Sequence, residues 1–394
     1  MTDTIEIHGR CHPRFTRVRD AFAQEFAAGN ELGAAVAATL EGELVVDLWA
    51  GHRDRERTQP FARDTLVNVY STTKGMTALA LHRLVDEGLV ELDAPVASYW
   101  PEFAQAGKAK IPVRYLLSHE AGLPAVKKPL PLDAMFDWST MTRALAEQEP
   151  WWEPGTAHGY HALTFGWLVG EIVRRVRGKK LGDVVREEIA RPLGAEFEIG
   201  FGPELDGRVA PLVQGPIHPP QGGVDFDLAK AVAENPEGVL AKAFANPPAL
   251  APGLVNTRAW RAAEIPGANG HSNAHSLARI YAPLANGGSA FGVRLLSREA
   301  IERARTEQVN GRDEVLPLVT RIALGFFLPA PNEPLGPNPR AFGHGGAGGS
   351  YSHADPEHRL SFGYAMNLMH MGAWLVDPRP RRLLAATYGS LGSR

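Results

Sequence analysis

The chain has 394 residues, enough to bury a large core and to form two domains or one large domain with an insertion. It is 44% hydrophobic and 22% charged, a globular composition. A net charge of −3, without a basic run of the kind nucleic acids or anionic membranes select, gives such partners no support, and the single cysteine, Cys11, excludes an intrachain disulfide.

Met1 to Arg10 is polar, with neither the apolar stretch nor the small-residue cleavage site of a leader. No window approaches the roughly 18 apolar residues of a transmembrane helix. The expected location is the cytoplasm. Phe15, Val18, Phe22 and Phe26 recur at helical spacing and predict a helix over 13–28, ended by Gly29-Asn30. Strands over 33–40 and 43–48 follow, and the short Glu41-Gly42 link makes them an antiparallel hairpin. An apolar run, Leu66 to Tyr70, leads into Ser71-Thr72-Thr73-Lys74 and a helix that stops at Gly88.

From Thr72 to Arg177 the pattern is mostly helical, broken by Pro-rich loops, one of which carries Trp151 and Trp152. Helices are predicted over 163–177, 181–193 and 273–285. The stretch 201–266 is irregular but too apolar for disorder, and reads as a pocket wall. Extended segments return at 321–328, 342–343, 351–354 and 360–367, and a last helix covers 380–388. Strands at both ends with helices between predict an α/β fold of the α+β type. Its sheet domain combines 1–75 with about 270–394, and a mainly helical domain covers about 76–269.

Three places carry candidate chemistry. Ser71 at a helix start and Lys74 one turn on share a helix face, so hydroxyl and amine can meet. The first helical N–H groups and the dipole's positive end suit a developing oxyanion, the setting of an activated serine nucleophile. Gly159-Tyr160-His161 offers a general base if nearby positive charge favours phenolate, and Lys74 is the candidate source of that charge, the two sharing one proton. His344-Gly345-Gly346-Ala347-Gly348-Gly349 lets a strand edge approach a ligand closely, so the Ala347 N–H can join that of Ser71 in an oxyanion hole.

These three motifs in this order resemble the serine β-lactamase and penicillin-binding-protein superfamily, whose β-lactamase-like fold sets its site between an antiparallel sheet domain and a helical domain. The run from Val45 through Asp47, Leu48, Trp49, Ala50 and Gly51, the stretch Leu116-Leu117-Ser118-His119-Glu120-Ala121-Gly122-Leu123-Pro124, and Pro154-Gly155 look like further landmarks, so the resemblance spans nearly the whole chain. Within the superfamily the sequence is most similar to family VIII carboxylesterases. The resemblance implies that Ser71 is acylated, that Lys74 and Tyr160 move its proton and later activate water, and that the amides of Ser71 and Ala347 form the oxyanion hole. His344, Gly345 and Gly346 stand where Lys-Thr-Gly binds substrate.

Two departures stand out: Ala162 replaces the Asn of Tyr-x-Asn, and His344 and Gly345 replace the Lys and Thr that would bind a substrate carboxylate. Both favour esters over penicillins or peptides, and the family resemblance implies acyl chains of small to medium length. The expectation is a cofactor-free, metal-free carboxylesterase acting on small-molecule esters, with no nucleic-acid or membrane partner; homo-oligomerisation stays open. β-Lactam, amide or peptide hydrolysis, or acyl transfer at the same site, is the alternative. Trp152 lines the acyl pocket or packs in the core. Three other features are read as structural. Ser272 caps the helix at 273; His353, Asp355, Glu357 and His358 form a solvated hairpin; and His119-Glu120 lacks the second His of a zinc motif.

Overall fold

The alternating segments of both chain ends join in one six-stranded antiparallel sheet. The computed structural model describes residues 5–217, 227–330, 335–372 and 376–392. The strands are β1 (Ile7–Cys11), β2 (Gly33–Leu40), β3 (Glu43–Gly51), β4 (Phe342–Gly345), β5 (Tyr351–Asp355) and β6 (Leu360–Met366), in the order β1-β3-β2-β6-β5-β4. One lateral row runs Asp47, Ala37, Gly363, Ser352, His344, which places the third motif at the sheet edge.

Period-two alternation sends the two strand faces into different cores. Val36, Leu48 and Phe362 pack with Phe15, Val18 and Phe22 beside helix α1 (Thr16–Ala27) and with Leu383 of the last helix. Ala35, Ala37 and Ala365 join the larger core shared by α2 (Thr73–Asp86), α3 (Thr164–Arg177) and α4 (Ala274–Ala285). The last helix, α5 (Pro378–Gly389), packs against α1. Small residues let α4 lie close to the sheet: a Cβ on Gly363 would meet the Ala274 carbonyl and the Ala278 amide. Helix α2 is buried nearly all round, as an apolar helix without a polar face must be.

Several expectations need correction. Strand β1 is not predicted: its Ile-His-Gly-Arg-Cys sequence is polar because it forms a largely exposed sheet edge. The 181–193 helix is split into Leu181–Val184, a wider π-type segment Val185–Ala190 and a 3₁₀ turn Arg191–Leu193. The cap of α4 is Asn273, whose side chain accepts from the Ser276 N–H; Ser272 lies in a short strand and donates to Glu196 O. The 201–266 stretch includes a strand, Val213–Ile217, parallel to Leu368–Met371, and helices Leu228–Glu234 and Val239–Ala245; its residues 218–226 lie outside the described residues.

Candidate active site

Ser71 sits in a 3₁₀ turn, Tyr70–Thr72, that feeds directly into α2. Tyr70 carries a left-handed φ of 41°, rare for a residue with a side chain and worth roughly 1–3 kcal/mol of strain. The Thr73 hydroxyl holds that turn by donating to the Tyr70 carbonyl at 2.5 Å. Ser71 is partly exposed, whereas Thr72, Thr73 and Lys74 behind it are buried.

Lys74 lies one turn on and is fully buried. Its Nζ is 3.0 Å from Ser71 Oγ and 2.7 Å from each of two carbonyls, Ala162 O and Gly267 O. None of these acceptors is a carboxylate, and burial pushes the amine well below the ordinary lysine range. A neutral amine has two N–H groups, which the two carbonyls absorb, so its lone pair is left for the Ser71 hydroxyl.

Tyr160 closes the other side. Lys74 Nζ lies over its ring, 4.7 Å from the centroid. Burial pushes its phenol above the usual value, while a hydrogen bond with Ser71 acts the other way. The geometry therefore brings Ser71, Lys74 and Tyr160 together, but not as a phenolate–ammonium pair: desolvation favours the neutral form of both partners. The expectation that Lys74 charges Tyr160 is corrected on this point.

Several supporting residues carry no local sequence signal. Asp313, buried, accepts the Tyr160 N–H at 3.0 Å together with those of Val315 and Leu316, and so fixes the tyrosine backbone. His161 donates from Nδ1 to Gly159 O at 2.6 Å and accepts the Leu123 N–H at Nε2, while its own N–H reaches His119 Nδ1. Burial keeps both imidazoles neutral, His161 down at about 3. His119 was legible only as part of its landmark run, and Asp313 lies too far along the chain from Tyr160 for spacing to reveal it.

The third motif runs beside the Ser71 turn. Gly346 lies so close to it that a Cβ would collide with Val69 O and Ser350 Oγ. Ser350 Oγ donates to Val69 O at 2.7 Å and lies 3.0 Å from Thr72 Oγ1. Ala347 is exposed beyond the strand end, and Gly349 N–H donates to Gly346 O at 3.1 Å to close the turn around it. His344 is buried against Phe327 and Tyr160, donates from Nδ1 to Gly345 O at 2.7 Å, and is pushed down to about 3, chiefly by burial. It is thus a neutral ring where a cation would hold a carboxylate.

Trp152 is half-buried and belongs to an apolar cluster with Tyr160, Val315, Leu316 and Phe327, its indole N–H donating to Ala157 O. The 353–358 group is not a solvated hairpin: His353 and Asp355 are buried and tied to Tyr388, whose hydroxyl donates to Asp355 Oδ2 at 2.7 Å. Among the described residues no three His, Cys, Asp or Glu side chains group as a metal site requires, and no helix is long and apolar enough to cross a membrane.

The net charge conceals a basic run after all, Arg174-Arg175-Val176-Arg177-Gly178-Lys179-Lys180. Arg174 and Arg175 pair with Glu171, Arg177 with Glu87 and Glu188, and Lys179 with Glu187, so most of it is engaged within the fold.

Residues 18–386 match the Beta-lactamase family. The chain is 38% identical over 368 residues to the Esterase/beta-lactamase LipL of Mycobacterium tuberculosis (strain ATCC 25618 / H37Rv), covering 92% of this chain and 83% of LipL. A crystal structure of a family VIII carboxylesterase superposes with a TM-score of 0.89 at 44% identity, over 98% of this chain and 100% of that one. A penicillin-binding protein homologue from Caulobacter crescentus gives 0.88 at 42% identity, over 98% and 100%.

Proposed function

The chain belongs to the beta-lactamase family, and from that premise we propose that it hydrolyses carboxylic esters through an acyl-enzyme on Ser71. The observation that carries the reading is the buried Lys74 amine, 3.0 Å from Ser71 Oγ with carbonyls as its other partners. An amine held neutral beside a hydroxyl is a general base at ordinary pH.

In this scheme Ser71 Oγ attacks the ester carbonyl carbon as its proton passes to Lys74 Nζ. The oxyanion accepts from the N–H groups of Ser71 and Ala347. Tyr160, a neutral phenol bonded to Ser71, gives its proton to the departing alkoxide and is reprotonated from Lys74. Water then enters by the reverse route, forms the second tetrahedral species and releases the acid, leaving Ser71, Lys74 and Tyr160 as they began. The helical stretch 76–269 supplies Tyr160 and Trp152 opposite Ser71 and Lys74, and we take it as the second domain of the fold.

Substrate choice follows from charge. His344 is neutral and Gly345 has no hydroxyl, so a carboxylate on the substrate finds no cation there. Uncharged esters lose nothing by this, and Trp152, Val315, Leu316 and Phe327 offer an apolar wall for a small to medium acyl group. The test is a panel of p-nitrophenyl esters from acetate to laurate beside a chromogenic cephalosporin. Ester turnover should exceed cephalosporin turnover and peak at short or medium chains; comparable rates would favour a β-lactamase or amidase instead.

A further inference from the structure

Arg379, the second residue of α5, is a wholly buried cation that belongs to none of the motifs above. Its Nε donates to Asp377 Oδ1 at 2.9 Å, and Nη1 to Glu31 Oε2 and Leu368 O, each at 3.0 Å, and to Asn30 O at 3.2 Å. Nη2 donates to Asp377 Oδ2 at 3.2 Å and, more closely, to Gly348 O at 2.6 Å. The His370 N–H reaches the same Gly348 carbonyl at 3.1 Å. Glu31 is held in turn by the Tyr364 hydroxyl.

Gly348 is the neighbour of Ala347. Gly349, at φ 133°, has its missing Cβ filled by the guanidinium: a Cβ there would lie 2.5 Å from Arg379 Nη2. The same Gly349 donates its N–H to Gly346 O. That bond fixes the Gly346–Ala347 peptide plane, and in a trans peptide the Ala347 N–H points opposite to the Gly346 carbonyl. The direction of the Ala347 amide thus depends on a turn whose far end Arg379 grips. A buried ion cluster is weak evidence for stability, since well-packed apolar side chains often do as well. A planar fork that engages two carboxylates and a loop carbonyl at once does what no apolar side chain can.

We propose that Arg379 is a positioning residue for the oxyanion hole: from the C-terminal helix it locks the 346–349 turn so that the Ala347 N–H faces the Ser71 oxyanion. This rests on the Ser71 reading given above. The loss on removing it should appear in kcat, because the aim of the amide matters most once charge develops.

The experiment compares Arg379→Met and Arg379→Lys with Arg382→Met, which breaks the Arg382–Glu25 pair on the same helix without touching the loop, and with Ser71→Ala. Circular dichroism melts establish folding; kcat and KM are measured on a p-nitrophenyl ester. The expected result is a kcat lowered by roughly 10- to 100-fold in folded Arg379→Met, a smaller loss in Arg379→Lys, and KM within about threefold of wild type. Arg382→Met should keep kcat within about twofold. A folded Arg379→Met with kcat within about threefold of wild type overturns the proposal, as does an Arg379→Lys with undiminished kcat where it alone folds, or failure of both Arg379 variants to fold, which would make the residue an anchor of the fold. If Ser71→Ala keeps full activity, the underlying reading fails instead.

Discussion

Acidification from about pH 7.5 to about pH 5 is expected to remove on the order of 8 kcal/mol of folding stability. Five buried imidazoles suffice for a loss of this size, and His119, also pushed well down by burial, acts in the same direction. His82 and His353 are pushed down to about 4, and His161, His271 and His344 to about 3, in every case chiefly by burial that disfavours the charged ring. The unfolded chain binds protons near the ordinary histidine value of about 6.5, while the folded chain resists them. Stability is therefore whole above about pH 6.5 and is lost as pH falls toward the folded values. At about pH 5 each ring costs about 2 kcal/mol, or about 10 for the five. Glu31 works in the opposite direction. Burial pushes its carboxyl up to about 7, so the folded state binds that proton first and recovers about 2 kcal/mol. A loss of this size is comparable to the whole stability of a typical domain, about 5–15 kcal/mol. Urea titrations followed by the fluorescence of the eight tryptophans would measure it at both pH values. An unfolding free energy at about pH 5 within about 2 kcal/mol of that at pH 7.5 would refute the neutral, dry environment assigned to these rings.

Four further outcomes follow from the site. Lys74→Met and Tyr160→Phe should each lower kcat by roughly 10²- to 10⁴-fold, read in steady-state ester assays. The wild-type rate should fall on the acid side as Lys74 takes up a proton, with the limb below the ordinary lysine range because burial depresses this amine. His344→Lys should shift the ratio of cephalosporin to ester kcat/KM toward the carboxylate-bearing substrate by about tenfold, since it restores a cation at the strand edge. Gly346→Ala, whose methyl would press on Val69 O and Ser350 Oγ, should displace the loop from the serine and lower kcat by about 100-fold; circular dichroism would check that the fold survives.

Much of this was legible in the sequence where a local rule sufficed. The hairpin over 33–48, the helix stop at Gly178 and the juxtaposition of Ser71 with Lys74 follow from periodicity, a left-handed glycine and helical spacing. What failed depended on partners distant in sequence. An edge strand such as Ile7–Cys11 needs little apolar content, so its pattern looks like a tail. Asp355 on a Pro turn looks solvated until Tyr388 and Asn338 reach it from elsewhere in the chain. The protonation states of Lys74 and Tyr160 depend on burial, which residue identities alone do not state, so the sequence suggested a charged pair where the fold favours a neutral one. Arg379 and Asp313 belong to the same class: each acts on a motif beyond the reach of local spacing, 31 residues away for Arg379 and 153 for Asp313, through backbone atoms that have no sequence identity.

The central claim is that turnover passes through an ester of Ser71. Rapid quenching of the enzyme with a slowly deacylated p-nitrophenyl ester, followed by peptide mass spectrometry, tests it most directly. The account predicts a mass increase of one acyl group on the peptide containing Ser71, formed in the burst phase and absent from Ser71→Ala. Acylation at another residue, or ester turnover undiminished in Ser71→Ala, would contradict it.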